Sequence, residues 1–228
     1  SLPIGLKITV PYGIDIVFTD IDYTHEILER QVQGLKARYP FLETGTTGRS
    51  VLGKNLYYIR LGYGANIVSY NGAHHANEWI GTPLLMKFIE NYAKAYSVKG
   101  SMRGYSIPDI FNRASIYIIP MVNPDGVDLV TYWPNYPSAA YTQAARLNTT
   151  GLPLPRVWKT NIRGVDLNLN YPAMWEEEKR IELEQGITGP APRDYGGEAP
   201  LSEPETVAMY NFTRRNNFRL VIAYHTQG

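Results

Sequence analysis

The sequence has no cysteine, which excludes disulfides, thiolate metal sites and cysteine nucleophiles. It has only four histidines, so any metal site must combine these with carboxylates. An excess of one charge is also missing, because 22 lysines and arginines balance 21 aspartates and glutamates to a net charge of +1. That balance argues against a nucleic-acid partner. No apolar run approaches the roughly 18 residues of a membrane span, and the first residues lack the charged and apolar segments of a signal peptide.

The composition favours one globular domain. The 228 residues are 44% hydrophobic and 19% charged, which leaves enough apolar surface for a buried core. Helical and strand patterns alternate along the chain, which predicts an α/β fold with a mixed, mostly parallel twisted sheet and helices on both faces. We expect residues 21–228 to form this domain. Residues 1–20, with a strand-like run at 7–11, are expected to be a lead-in or linker.

Local patterns place the first elements of this domain. One helix should begin after Thr24 as its N-cap and end at the proline of residues 39–40. Residues 55–61 and 65–71 predict two strands of a hairpin or near-hairpin, joined through the glycines at 62 and 64. A helix over residues 79–96 should carry its proline in the first turn.

The second half of the chain has fewer regular patterns. Residues 115–122 are almost continuously apolar, as in a strand covered on both faces. Residues 134–200 hold most of the prolines and predict a long surface excursion. Ser-Glu-Pro-Glu at 202–205 predicts a capping box for a helix that runs to about Asn217. Residues 219–224 should then form another buried strand.

Polar residues follow the predicted strands, at the edge where open α/β sheets bind ligands. His75 and Glu78 form a His-x-x-Glu pair that by itself fits an ordinary polar turn as easily as a site. His225 follows the last apolar strand, where a lone histidine is more often a surface residue. Together, two imidazoles and one carboxylate match a catalytic zinc site, which has three protein ligands and one open position. His74 competes with His75, and the spacing to Glu78 does not separate them.

A third polar segment covers residues 158–170. Asp166 can accept a hydrogen bond from the second nitrogen of a ligand histidine, which fixes the tautomer of the ring. Asn168 can donate to a substrate carbonyl, and Lys159 and Arg163 are the cations available for a developing oxyanion. The alternative is a loop whose asparagine and aspartate side chains cap its own turns.

Five motifs, in this order, resemble those of the zinc metallocarboxypeptidases from about residue 23 to the end of the chain. They are Gly-Ala-His-His-Ala-Asn-Glu-Trp at 72–79, Asn-Pro-Asp-Gly at 123–126, Gly-Val-Asp-Leu-Asn at 164–168, Ser-Glu-Pro-Glu at 202–205 and the strand-end His225. The resemblance implies that His75, Glu78 and His225 bind one zinc ion. It also implies that Asp166 supports His75 from outside the ligand set.

The same resemblance implies roles around the metal and shows one departure. Lys159 lies where the family has an arginine that stabilises the oxyanion, with Arg163 as the alternative. Asn168 matches the asparagine that contacts substrate. Leu169 stands where carboxypeptidases have an arginine that binds the free C-terminal carboxylate, and leucine cannot form that charge-assisted pair. We therefore do not expect the chain to select C-termini in this way.

Residues 158–170 are similar to those of the γ-D-glutamyl-L-diamino acid endopeptidase branch, whose members cut peptidoglycan stem peptides. The similarity implies a zinc peptidase acting on a peptide or muropeptide at the bond between D-glutamate and the diamino acid. It implies a location outside the cell, in the cell wall or on the spore. It also implies that residues 1–20 are the end of a LysM repeat or the linker that follows one. The alternatives are a metallocarboxypeptidase that binds C-termini through another cation, and a non-catalytic cell-wall-binding domain.

In this family the general-base glutamate follows the third metal ligand, and the sequence ends three residues after His225. We therefore expect the base to lie after Gly228. We also expect the chain to be a fragment that lacks the C-terminal part of the fold and exposes apolar surface there. Glu198, Glu203 and Glu205 are expected at the surface or in a helix cap, so no general base is assigned within the chain.

Overall fold

The computed structural model describes residues 13–132 and 139–227. The strand-like run predicted at 7–11 and most of the predicted lead-in lie outside the described residues. The helices are α1 (His25–Arg38), α2 (Gly81–Ser97), α3 (Ile107–Arg113), α4 (Pro124–Thr131), α5 (Ala139–Leu147), α6 (Leu154–Val157), α7 (Trp175–Glu184) and α8 (Pro204–Asn216). The strands are β1 (Glu43–Arg49), β2 (Asn55–Leu61), β3 (Asn66–Gly72), β4 (Ser101–Met102), β5 (Tyr105–Ser106), β6 (Ala114–Ile119) and β7 (Leu220–Tyr224).

The central sheet has the strand order β1-β2-β6-β3-β7, and a separate pair joins β4 to β5. β2 lies antiparallel to both β1 and β6, whereas β3 runs parallel to both β6 and β7. Helices α1, α2 and α3 pack their apolar residues on one face of the sheet, and α8 packs Met209 and Phe212 on the other. The predicted mixed α/β sheet with helices on both faces is confirmed, but two of its four strand pairings in the described part of the chain are parallel and two antiparallel, so the sheet there is not mostly parallel. No helix among the described residues is long and apolar enough to cross a membrane.

The predictions for the first two helices are confirmed. Thr24 caps α1, and its side chain accepts a hydrogen bond from the amide of Ile27 at 3.3 Å. The helix ends at Arg38, directly before Tyr39 and its proline. α2 begins at Gly81 and carries Pro83 in its first turn, where no hydrogen bond to a preceding carbonyl is lost. Both helices are encoded by local signals.

The predicted hairpin is wrong, because β6 lies between β2 and β3. The segment that joins these two strands passes along the end of β6 instead of turning back. The amide of Gly64 donates to the carbonyl of Ala114 at 3.2 Å. A Cβ atom at Gly64 would lie 1.9 Å from the backbone of Arg113. The glycine therefore serves a close approach between two backbones rather than a tight turn.

Residues 134–200 are not a surface excursion where the structure describes them. The segment contains α5, α6 and α7, and Trp158 is fully buried with Leu154 against Leu129 of α4. Its apolar residues pack a second small core, and the prolines between them interrupt the helical spacing that would have revealed this. Residues 133–138 lie outside the described part of the chain.

The predicted capping box at 202–205 is also wrong, although α8 does begin at Pro204 and end before Asn217. Glu203 occupies the N-cap position without a side-chain cap, and Ser202 donates to the Glu203 carboxylate at 3.0 Å. Glu205 is fully buried and accepts from the amide of Val51 at 3.1 Å. The two glutamates therefore serve tertiary contacts rather than the surface or a cap, whereas Glu198 is exposed as expected.

The last strand differs from its prediction in burial. β7 pairs with β3 and lies at the edge of the described sheet. Leu220 and Val221 are 51% and 43% exposed. An apolar run is typical of a strand covered on both faces, so the pattern predicted the strand correctly but not its exposure.

Candidate metal centre

Strand pairing brings two distant parts of the chain to one edge of the sheet. β3 and β7 run parallel, and Gly72 is level with Tyr224 in their register. Each strand ends at that point, and the residues that follow are His74 and His75 on one side and His225 on the other. The site therefore lies at the carboxyl ends of parallel strands, as open α/β sheets place their ligands.

The turn after β3 is shaped by its backbone. Ala73 has a left-handed conformation with φ of 53°, and its carbonyl accepts from the amide of Asn123 at 3.0 Å. A short 3-10 helix, Ala76–Glu78, follows with His75 as its N-cap. The spacing of three residues in this turn sets the Glu78 side chain beside that of His75.

Three side chains converge on one point. The Nδ1 atom of His75 lies 2.8 Å from Oε1 of Glu78, and the Nδ1 atom of His225 lies 3.0 Å from Oε2 of the same carboxylate. The two Nδ1 atoms are 3.2 Å apart. Among the described residues, His75, Glu78 and His225 form the one group of histidines and carboxylates whose ligand atoms are close enough together to hold a metal ion. Ligands about 2.0–2.1 Å from a tetrahedral zinc ion lie roughly 3.3 Å from one another, so the donor set fits zinc.

Asp166 holds the other side of the His75 ring. Its Oδ1 atom lies 3.2 Å from Nε2 of His75 and also accepts the amide of Asn168 at 3.1 Å. Asp166 is 1% exposed. Burial opposes its negative charge, but the contact with His75, the Lys159 ammonium and the Asn168 amide outweigh burial and lower the pKa of Asp166. A carboxylate in this place orients the ring and leaves Nδ1 free for a metal.

The electrostatics of His74 and His75 differ. Burial opposes the charged form of His75, but Asp166 and Glu78 outweigh it and raise its pKa. Burial likewise opposes the charge of Glu78, but the Thr226 amide and both histidines outweigh it and lower the pKa of this carboxyl. For His74, burial and the neighbouring histidines lower the pKa to about 3. His74 is therefore neutral, and it lies outside the converging set.

Lys159 lies beside the site, whereas Arg163 does not. The Nζ atom of Lys159 is 3.8 Å from Asp166 and 3.6 Å from Asp194. Its carbonyl accepts the amide of Ala76 at 2.9 Å, so its backbone runs along the metal-binding turn. Arg163 instead faces Glu203 at 3.6 Å with 54% of its side chain exposed. The geometry favours Lys159 of the two cations considered for the oxyanion.

Asn168 and Leu169 lie on the 3-10 turn that Asp166 caps. The side chain of Asn168 is exposed and has no hydrogen-bond partner among the described residues, so it is free to meet a substrate. Leu169 is half-buried. The role of Asn168 in substrate binding stays a prediction.

Sequence reasoning missed three contacts of the site. The amide of Thr226 donates to Oε2 of Glu78 at 3.0 Å. Asp194 pairs with Lys159. The hydroxyl of Tyr171 lies 3.1 Å from Nε2 of His74. In the His74–Tyr171 contact, the sequence drew attention to His74 because it is part of the His-His doublet. No local signal pointed to Tyr171.

Comparisons with known proteins agree with this geometry. The family model described as zinc carboxypeptidase matches residues 28–228. Gamma-D-glutamyl-L-diamino acid endopeptidase 1 of Lysinibacillus sphaericus is 40% identical over 207 residues, which are 91% of this chain and 51% of that protein. Carboxypeptidase A6 of Homo sapiens is 27% identical, over 78% of this chain and 36% of that protein. The chain thus spans about half the length of the first of these relatives.

Solved structures share the fold. Bovine thrombin-activatable fibrinolysis inhibitor, in complex with a tick carboxypeptidase inhibitor, superposes with a TM-score of 0.65 at 23% identity. The match covers 90% of this chain and 61% of that one. A carboxypeptidase A from Helicoverpa armigera superposes with a TM-score of 0.58 at 20% identity, over 90% of this chain and 46% of that one.

Proposed function

Because the chain belongs to the zinc carboxypeptidase family, we propose that it acts in a zinc-dependent peptidase that cleaves peptidoglycan stem peptides. The bond hydrolysed is the one between γ-D-glutamate and the diamino acid. The observation that carries the proposal is the convergence of His75, Glu78 and His225. The choice of substrate is supported by the 40% identity to a protein named for that activity.

In this proposal one zinc ion is held by the Nδ1 atoms of the two histidines and by the Glu78 carboxylate. Bound there, zinc supplies a Lewis acid for the amide carbonyl and lowers the pKa of water. The Asp166 carboxylate accepts a hydrogen bond from the N–H at Nε2 of His75, and this selects the tautomer in which Nδ1 carries no proton. The surroundings thus hold one ligand in its metal-binding tautomer.

Two further side chains act on the substrate. Lys159 is 14% exposed and positively charged, and it stabilises the negative charge that develops on the carbonyl oxygen. Asn168, on the exposed side of the turn after Asp166, donates to a substrate carbonyl. Both act by binding and orientation, so their removal should reduce turnover without removing the metal.

Leu169 favours an endopeptidase over a carboxypeptidase. An enzyme that selects a free C-terminus needs a cation for the carboxylate, and a bidentate arginine pair supplies it most effectively. Leucine offers no such pair. The substrate would therefore be recognised within the stem peptide.

The general base stays a prediction for a glutamate after Gly228. Among the described residues, the carboxylates that contact His75 are Glu78 and Asp166, and these histidine contacts engage both. We assign neither as the base. Given the substrate, we also propose that the enzyme acts outside the cell membrane, in the cell wall or on the spore.

The test uses the full-length gene product loaded with zinc. It is incubated with a muropeptide that contains the γ-D-glutamyl-diamino acid bond, with the same peptide blocked at its C-terminus, and with an ordinary peptide. Mass spectrometry should show cleavage after D-glutamate in both muropeptides. Release of C-terminal residues from unblocked peptides alone would favour a carboxypeptidase. Bound zinc without any hydrolysis would favour a non-catalytic cell-wall-binding domain.

A further inference from the structure

The two histidine ligands are held in different ways. His75 is 5% exposed, and Asp166 hydrogen-bonds the nitrogen that faces away from the metal position. The side chain of His225 is 26% exposed, and no described residue hydrogen-bonds its Nε2 atom. A ligand histidine normally has a partner on its second nitrogen that fixes the ring. Among the described residues, the rings that pack against His225 are therefore the contacts that can orient it.

The ring of His74 lies against the ring of His225. Their centroids are 6.0 Å apart and their planes are inclined by 36°. The His75 ring contacts His225 as well, with centroids 4.8 Å apart. His225 thus packs against both members of the His-His doublet, and His74 is 4% exposed, so it offers a fixed surface.

The position of His74 is fixed in turn by Tyr171. The Tyr171 hydroxyl lies 3.1 Å from Nε2 of His74, and the two rings are 6.1 Å apart. Nδ1 of His74 is buried and has no hydrogen-bond partner, so Tyr171 makes the one polar contact of this side chain among the described residues. The residue before Tyr171 is Asn170, which is fully buried. Its side chain is hydrogen-bonded to the carbonyl of Gly196, the hydroxyl of Ser202 and the amide of Glu203, so the backbone next to Tyr171 is held in place.

We propose that His74 and Tyr171 are positioning residues for His225, the third zinc ligand. The hydrogen bond between Tyr171 and His74 fixes the His74 ring, and the contact of that ring with His225 sets the orientation of the His225 ring. The inference rests on the proposed ligand set of His75, Glu78 and His225. It assigns a function to the first histidine of the doublet, which binds no metal itself. It also explains why a tyrosine hydroxyl lies next to the site.

The test measures binding of zinc alone to the full-length gene product, without substrate. Tyr171→Phe removes the hydroxyl oxygen and keeps the aromatic ring. His74→Leu removes the imidazole ring that contacts His225 and keeps a side chain of similar volume. Competition with a chromophoric chelator should show zinc affinity falling about 10-fold for Y171F and about 10- to 100-fold for H74L, the range for outer partners of metal ligands. The visible spectrum of the cobalt-substituted protein should change in both variants, because the ligand geometry changes.

The matched control is Tyr23→Phe. Tyr23 is fully buried, and its hydroxyl donates to the side chain of Gln31 within the core beneath α1. Y23F removes the hydrogen bond of another tyrosine hydroxyl, away from the site, so it should reduce stability while leaving zinc affinity and the cobalt spectrum unchanged. An effect of Y171F that matched Y23F in zinc affinity and spectrum would overturn the inference.

Other outcomes separate this inference from the ligand assignment. If H74L weakens zinc binding and Y171F does not, the role of the hydrogen bond is wrong. If His225→Ala retains wild-type zinc affinity, the ligand set itself is wrong and the positioning inference fails with it. If H74L does not fold, the zinc affinity and cobalt spectrum of Y171F alone test the inference, because Y171F removes only the hydroxyl oxygen and keeps the ring.

Discussion

The amide of Thr226 donates to Oε2 of Glu78 across 3.0 Å, although 148 positions separate the two residues. The same carboxylate contacts the Nδ1 atoms of His75 and His225. Besides its place in the proposed ligand set, Glu78 therefore joins the end of β7 to the turn after β3. Two substitutions can separate these roles.

Glu78→Gln removes the negative charge and keeps an oxygen that accepts from Thr226, whereas Glu78→Ala removes both. We expect both variants to lose zinc affinity by more than the roughly 10- to 100-fold that loss of an outer partner causes. Only E78A should speed hydrogen exchange at the Thr226 amide. Zinc titration and exchange measured by NMR check the two effects, and unchanged zinc affinity in E78A would rule out Glu78 as a ligand.

Asp166→Asn tests the support given to His75. An asparagine oxygen can still accept from Nε2 of His75, but the charge that makes the ring more basic is lost, so zinc affinity should fall roughly 10- to 100-fold. The control is Asp194→Asn, because Asp194 is 39% exposed and pairs with Lys159 but not with a histidine. Zinc titration should show no change for D194N. Equal losses in both variants would point to a general charge effect instead.

The sequence predicted best where the signal is local. The helix α1 follows from its Thr24 cap and from the helical spacing of Leu28, Val32 and Leu35, all of which are buried. The strand order did not follow, because neighbours in sequence usually pair and here β6 is inserted between β2 and β3. The burial of Trp158 was not predicted, because Pro153 and Pro155 just before it break the periodic pattern.

The residues of the site likewise divide into those that local sequence brings together and those that only the fold brings together. His75 and Glu78 are three residues apart, so one turn of chain places them together. His225 reaches them only through the parallel pairing of β3 and β7, which a single sequence does not reveal. Its convergence was expected from the order of the family's motifs. The Tyr171–His74 contact has neither a short spacing nor a motif, and only the structure shows it.

Glu205 should make stability depend on pH. Burial raises the pKa of this carboxyl to about 7, with Asp125 and Glu203 adding negative charge nearby. A raised pKa means that the folded protein binds the proton more tightly than the unfolded chain does. Its contribution is fully present below the ordinary value of 4.5 and is lost as pH rises through about 7. One pKa unit is worth about 1.4 kcal/mol, so the loss is at most on the order of 3 kcal/mol.

Glu205→Gln should remove this dependence, because the amide cannot ionise and still accepts from Val51. Urea unfolding at pH 5 and pH 8.5 measures it: the variant should gain stability relative to wild type at the higher pH. The control, Glu184→Gln, changes a side chain that is 62% exposed on α7 and should show no such gain. A constant difference between E205Q and wild type at both pH values would contradict the prediction.

Asn168 and Asn170 stand two positions apart on one loop and should affect different properties. The Asn170 side chain is fully buried. The two N–H bonds of its amide are shared among the carbonyls of Gly196 and Ala199, at 2.8 and 3.1 Å, and the hydroxyl of Ser202, at 2.9 Å. Its oxygen accepts from the Glu203 amide at 3.2 Å and from Thr206 at 2.6 Å. One amide thus joins this loop to the start of α8.

Asn170→Ala leaves several buried partners unsatisfied, at about 1–3 kcal/mol for each group that finds no water, so the free energy of unfolding should fall by about 3 kcal/mol or more. Asn168→Ala removes an exposed side chain and should change stability by no more than about 0.5 kcal/mol. Urea unfolding of the zinc-free proteins checks both values. Muropeptide turnover by the full-length product completes the comparison, because N168A should lose activity while N170A loses stability. Unimpaired turnover in N168A would remove Asn168 from the substrate site, and a stability loss equal to that of N170A would show that its side chain is not free.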